Sequence, residues 1–241
     1  MSSVGLPLVH EEDADGLVAS VFLDIRTRMP FVPALFKALA SDPESLLAAW
    51  LQARMVYDHP GALEAADAIR RSARVTIDYR PASKVQETLA PFAAELPFML
   101  LIVSSLRLSL DHELPPRPAP EPKLPPAERV PEPEFSDRGD HPLFPEICRV
   151  YGTQHLPSIF RTLATAGLLE EVWSATGPVL ASPAGAQAIT RINAEAEGQA
   201  RAMPDVASFQ VEQARPILDQ FARALPRNLI IAVTACRPLV A

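Results

Sequence analysis

The chain has almost none of the features that mark the common chemistries. Among its 241 residues there is no glycine-rich phosphate loop, no dinucleotide-binding fingerprint, no His-Glu-x-x-His, no Cys-x-x-Cys and no Gly-x-Ser-x-Gly. Each of these motifs has a mechanical reason for its spacing, so their absence removes nucleotide binding, zinc proteolysis and serine-elbow hydrolysis from the first rank of readings. Basic runs are missing too: 22 Lys and Arg stand against 29 Asp and Glu, for a net charge of −7, and no cluster tracks phosphates. Nucleic acid is therefore not an expected partner. Two cysteines, Cys148 and Cys236, are too few for a disulfide framework and fit a reducing compartment, so the expected localisation is cytoplasmic. The first residues carry acids where a signal peptide would carry a basic segment and an apolar core. The most apolar stretch, Pro97 to Leu106, is closed by Arg107 and falls short of the roughly 20 residues that span a bilayer, so no membrane partner is expected. Only nine glycines are present, which argues against a hairpin-rich β fold. The five histidines are not spaced as a metal cage, and neither a metal nor a cofactor is expected.

Proline is what the chain has in excess. Of 26 prolines, nine fall between Pro115 and Pro133. Each lacks an amide donor and biases its predecessor toward extended geometry, so this stretch continues neither a helix nor a sheet. It reads as an extended, solvated linker over residues 114–140, interrupted by Glu121, Lys123, Glu128 and Arg129.

The linker separates two similar stretches. Phe31 to Ala40 matches His155 to Ala164 at a constant offset of 124, seen in Pro33 and Pro157, Phe36 and Phe160, and Leu39 and Leu163. Leu89 to Ile102 matches Leu218 to Ile231 at an offset of 129, seen in Phe92 and Phe221, Leu96 and Leu225, and Pro97 and Pro226. The two tryptophans, Trp50 and Trp173, follow Phe36 and Phe160 by 14 and 13 residues. Matching blocks in the same order predict an internal repeat: a tail over 1–14, one unit over 15–113 and a second over 141–241. Val32, Leu35, Phe36 and Leu39, like Leu156, Ile159, Phe160 and Leu163, obey the i, i+3, i+4, i+7 spacing of one helical face. Asp42-Pro43 and Ser182-Pro183 each place a cap residue before proline, and Ser83 to Gln86 has capping-box spacing. Leu229 to Ala235 is β-branched enough for a strand, but its counterpart, Phe98 to Leu110, reads as helix, and both are assigned to helices. The expected fold is all-α, two tandem helical units packed as a pseudo-dimer.

The helices beginning near Pro33 and Pro157 would then face a shared cavity. Their unpaired amides favour a carboxylate, unless they are simply capped and packed.

Asp24-Ile-Arg26, Pro30-Phe31 and Leu39-Ala40, ending at Trp50, together with the duplicated helices, resemble the group I 2-haloacid dehalogenases. The resemblance covers both units. It implies an all-helical pseudo-dimer with a pocket between its units, where 2-haloalkanoic acids of either hand are hydrolysed by water that an aspartate activates directly, since neutral water is a poor nucleophile. Carried over residue by residue, the family's aspartate follows a serine that matches Ser158, and its place is taken by Ile159. The family's pocket asparagine and tyrosine fall at Leu96 and Met99, while the aromatic beside Pro30 is kept as Phe31. With Pro33 and Ala34 these form the expected binding wall, and no catalytic residue is assigned. The first reading is a family member that binds a small organic acid or apolar molecule without haloacid hydrolysis. The second is an active hydrolase, either on haloacids with its base at His155 or Asp205 or on another substrate, and the third is a structural or homo-oligomerising protein.

Overall fold

The fold is described by a computed structural model covering residues 7–115, 117–118, 121, 123–131, 140–153, 156–203 and 209–236. Among these residues there are ten α-helices and no strand, as the period of the apolar residues predicts. Five precede the linker: α1 Gly16–Arg26, α2 Ala34–Leu39, α3 Pro43–Tyr57, α4 Ala62–Ser72 and α5 Ser83–Leu110. Five follow it: α6 Phe144–Tyr151, α7 Ser158–Thr165, α8 Leu169–Leu180, α9 Pro183–Arg201 and α10 Arg215–Ala235.

The two longest helices, α5 and α10, pack along each other more extensively than any other pair and make the centre of the molecule. Both are interrupted by proline, α5 at Pro91 and Pro97 and α10 at Pro226. Each proline removes a hydrogen bond from the helix interior. The helices persist because residues such as Leu100, Leu101 and Ile102 on α5 and Leu229 to Ala232 on α10 are buried almost completely. Burial also explains why the β-branched end of α10 stays helical: tertiary packing overrides a weak local preference. The short helices cross between halves, α2 packing on α3 and on α10, and α7 on α8 and on α5. A single cluster of buried apolar side chains runs through both halves, from Val18 to Ala235.

The local settings of the two halves agree in detail. Trp50 meets Phe36 edge-on at 5.4 Å between ring centres, and Trp173 meets Phe160 edge-on at 5.8 Å. Each indole nitrogen donates to a carboxylate of an earlier helix, Trp50 to Asp24 at 2.8 Å and Trp173 to Glu146 at 2.9 Å. This leaves each large aromatic buried without an orphan donor.

Helix starts follow the sequence signals in part. Pro43 and Pro183 open α3 and α9, and the Ser182 hydroxyl accepts from the Gly185 amide at 3.1 Å. Asp42 does not cap the backbone and instead accepts from the Ser45 hydroxyl. The capping box expected from Ser83 is not formed: Ala82 is the cap residue, and Gln86 Nε2 donates to the Pro81 carbonyl at 3.2 Å. Pro33 and Pro157 sit one position ahead of their helices, as extended cap residues with φ of −59° in both. Gly152, in the left-handed region at φ 62°, ends α6 where an L side chain would be strained.

Two segments are more engaged than their sequences predict. Residues 7–14, expected as a tail, lie against α2: the Val9 amide donates to the Lys37 carbonyl at 3.0 Å, and Lys37 Nζ meets Glu11 Oε2 at 2.7 Å, both side chains buried. In the linker, most described residues are exposed and outside any helix, but Leu114 and Val130 are buried in the core. The apolar run from Pro97 also belongs to a longer element than expected. α5 is long and apolar enough to cross a bilayer by length and composition, yet 72% of its most apolar 18 residues are buried inside the protein, as befits a core helix.

Candidate functional site

The first turns of α2 and α7 converge on one cavity whose remaining walls are α5 and α10. It encloses about 670 Å³, counting the part open to solvent. All seven residues expected at the binding wall line it: Phe31, Pro33 and Ala34 at the entry to α2, Leu96 and Met99 on α5, and Ser158 and Ile159 on α7. Ile159 is 1% exposed, so the position that the resemblance gives to an aspartate is a buried aliphatic side chain facing the cavity. His155 and Asp205, the alternative bases, lie outside the described residues.

Much of the lining falls in pairs at the two sequence offsets. Pro33 and Pro157, Leu35 and Ile159, Phe92 and Phe221, and Leu96 and Leu225 all face the cavity. Polarity enters where the pairs differ. Ser158 stands opposite Ala34, Asn228 opposite Met99, and Glu95 opposite Ala224.

Glu95 is the group that sequence reasoning missed. Its side chain lines the cavity from α5 at 9% exposure, and the Tyr57 hydroxyl makes a long contact with it, 3.5 Å from Oε2. Burial disfavours the carboxylate and pushes its pKa up to about 7, the Tyr57 contact offsetting only part of this. The same burial, with the negative charge of Glu95 beside it, pushes the Tyr57 hydroxyl up to about 12, so that hydroxyl stays protonated at neutral pH. Asn228 is the second residue missed. The buried Tyr151 hydroxyl donates to its Oδ1 at 2.9 Å, which leaves Asn228 Nδ2 as a donor. Gln220 Nε2 is used by the Thr153 hydroxyl at 2.9 Å.

This is a mostly apolar cavity with a few fixed polar groups, the usual composition of a small-molecule site. One ionisable side chain with a strongly raised pKa inside such a cavity is a candidate for proton transfer. A separate group, His10, Glu11 and Glu12, has its ligand-type atoms within 4.8 Å of one another, but these residues do not line the cavity, and Glu11 is already paired with Lys37.

Comparison with solved structures shows that this all-helical fold is the one found in D-2-haloacid dehalogenase structures. A D-2-haloacid dehalogenase mutant complexed with D-2-CPA superposes with a TM-score of 0.70 at 16% identity, over 96% of both chains. A D-2-haloacid dehalogenase complexed with L-LA gives 0.67 at 16% identity, over 96% of this chain and 93% of that one. A third structure, a mutant of the same kind of enzyme, gives 0.68 at 17% identity, over 96% and 92%. No protein-family model and no curated protein matches the sequence. At this identity the likeness is one of fold, and the chemistry has to be argued from the cavity.

Proposed function

We propose that the chain binds a small organic acid or apolar molecule in the cavity between its two halves and does not hydrolyse haloacids. The observation that carries this reading is Ile159: it faces the cavity from the first turn of α7, where the resemblance places the water-activating aspartate, and a hydrocarbon side chain accepts no proton. The apolar character of Leu96 and Met99, at the positions of the family's asparagine and tyrosine, supports it further. We read the halves as two copies of one unit, a pseudo-dimer. The paired lining and the matched tryptophan settings support that view.

The test is halide release from both enantiomers of 2-bromopropionate, with wild type and Ile159→Asp run together. No release by the wild type with release by the variant is expected; silence in both would mean that more than the base has changed. Release by the wild type would overturn the binding-only reading in favour of a hydrolase with a relocated base. Glu95 is the observation that favours this second reading, and loss of the activity in Glu95→Gln would assign the base to it.

A further inference from the structure

The described residues of the cavity wall carry nothing to balance a ligand's negative charge. Among its described residues there is no lysine, arginine or histidine, and Glu95 is the one ionisable carboxyl on the lining. Among the described residues, charged groups on the elements packed on α5 are engaged elsewhere, and Arg227 of α10 lies over the Tyr151 ring at 5.8 Å and donates to the Arg223 carbonyl at 2.6 Å. From α3, Tyr57 presents its hydroxyl, which donates to the Arg28 carbonyl at 3.1 Å, while Asp58 is paired with Arg28 at 3.0 Å. From α4, Arg70 is paired with Asp67 and donates to the Ala93 carbonyl at 3.2 Å. From α9, Arg191 is spent on the Ser72 carbonyl at 2.9 Å, and Arg107 of α5 itself pairs with Asp219 of α10 at 3.0 Å. From α7 and α10, the groups lining the cavity are Ser158, Gln220 and Asn228, which do not titrate.

An organic acid entering here as its anion meets a second carboxyl in an apolar cavity. Two like charges at such a site do not both persist, and one proton is shared between them. The remaining polarity is arranged for this. The Tyr151 hydroxyl fixes the Asn228 amide so that Nδ2 is left to donate, and Ser158 adds a hydroxyl from the first turn of α7.

We propose that Glu95 is a ligand-binding residue that meets its ligand as a neutral acid: a small monocarboxylate is held between the protonated Glu95 carboxyl and the Asn228 amide, and binds together with one proton whenever Glu95 starts ionised. The inference rests on the reading above that an organic acid occupies this cavity. No covalent bond is made or broken. Because burial places the Glu95 pKa near 7, the free protein already carries the proton at mildly acidic pH and lacks it at alkaline pH. Affinity for a monocarboxylate is then level below neutrality and falls about tenfold for each pH unit above it.

Calorimetric titration of the full chain with isobutyrate, and with isobutyramide as its neutral counterpart, tests this at about pH 6 and about pH 8.5, in buffers of different ionisation heat. The expected result is uptake of about one proton per isobutyrate at the higher pH and little at the lower, with Kd rising more than about tenfold between them. The isobutyramide Kd should change much less, and Glu95→Gln should bind isobutyrate with the same Kd at both pH values. Isobutyrate binding to the wild type with no proton uptake and an unchanged Kd overturns the proposal, and so does binding of isobutyramide without isobutyrate. If neither compound binds at either pH, the ligand-binding reading of the cavity fails first. The wild-type proton count needs no variant to fold.

Discussion

Glu95 should leave a mark on stability even without a ligand. Folding raises its carboxyl from 4.5 to about 7, so the folded chain holds that proton more tightly than the unfolded chain does. Its contribution is fully present below the unfolded pKa and is lost as pH rises to and through 7. Glu95→Gln is therefore expected to melt higher than wild type at about pH 8, by several degrees for roughly 1–3 kcal/mol, and to converge on wild type near pH 5. Differential scanning calorimetry at the two pH values checks this, and an equal difference at both would show that the carboxyl is solvated. The residue was hidden in the sequence for a physical reason. α5 is buried nearly all round, so no polar face singles Glu95 out, and attention to Leu96 and Met99 passed over a neighbour about 100° away around the helix. Asn228 carried a usable signal, since the offset of 129 that aligns Leu96 with Leu225 also sets it against Met99. Pro33, Leu96 and Ile159 have apolar counterparts at the two offsets, and Ser158 was reached through the resemblance; Glu95 and Asn228 were not, because their counterparts, Ala224 and Met99, are apolar.

At the scale of elements, α9 separates two effects of glycine. Replacing a helical glycine by alanine ordinarily stabilises by up to about 1 kcal/mol. Gly198→Ala should do so, since an added Cβ meets nothing within 4 Å. Gly185→Ala should do the opposite and cost about 1–3 kcal/mol, because its Cβ would stand 2.2 Å from the Val179 carbonyl oxygen. Urea unfolding of the two variants against wild type gives the sign of each, and a gain at Gly185 would show that the turn between α8 and α9 yields easily. That turn was legible from Ser182-Pro183, where cap chemistry and proline agree. The Ser83 box was not, because Pro81 and Ala82 hold the chain extended up to the first helical residue and leave Ser83 already inside α5. Cap residues report a helix start only when the backbone before them is free to take the cap conformation.

At the scale of the whole molecule, the division into halves expected from the sequence is not a division of the core. The exchange of α2 and α7 across α5 and α10 makes each half incomplete alone, and the buried Leu114 and Val130 tie parts of the linker to the same core. Proline content announced an extended backbone there but is silent about the apolar side chains set between the prolines. One shared core implies one cooperative transition. The two tryptophans provide a reporter in each half: Trp173→Phe leaves Trp50, and Trp50→Phe leaves Trp173. Within each variant, the unfolding midpoint from tryptophan fluorescence is expected to coincide with that from far-UV circular dichroism. The variants themselves should differ in stability. Trp50→Phe strands the buried Asp24 carboxylate without its 2.8 Å donor and is expected to cost about 2–4 kcal/mol, even though Arg28 and Arg54 remain beside it. Trp173→Phe releases the partly buried Glu146 to water and should cost less. If fluorescence and dichroism separate within a variant, the halves unfold as independent units; coincidence in both makes the cavity between them a product of a single folding event, so a ligand bound there stabilises the entire chain.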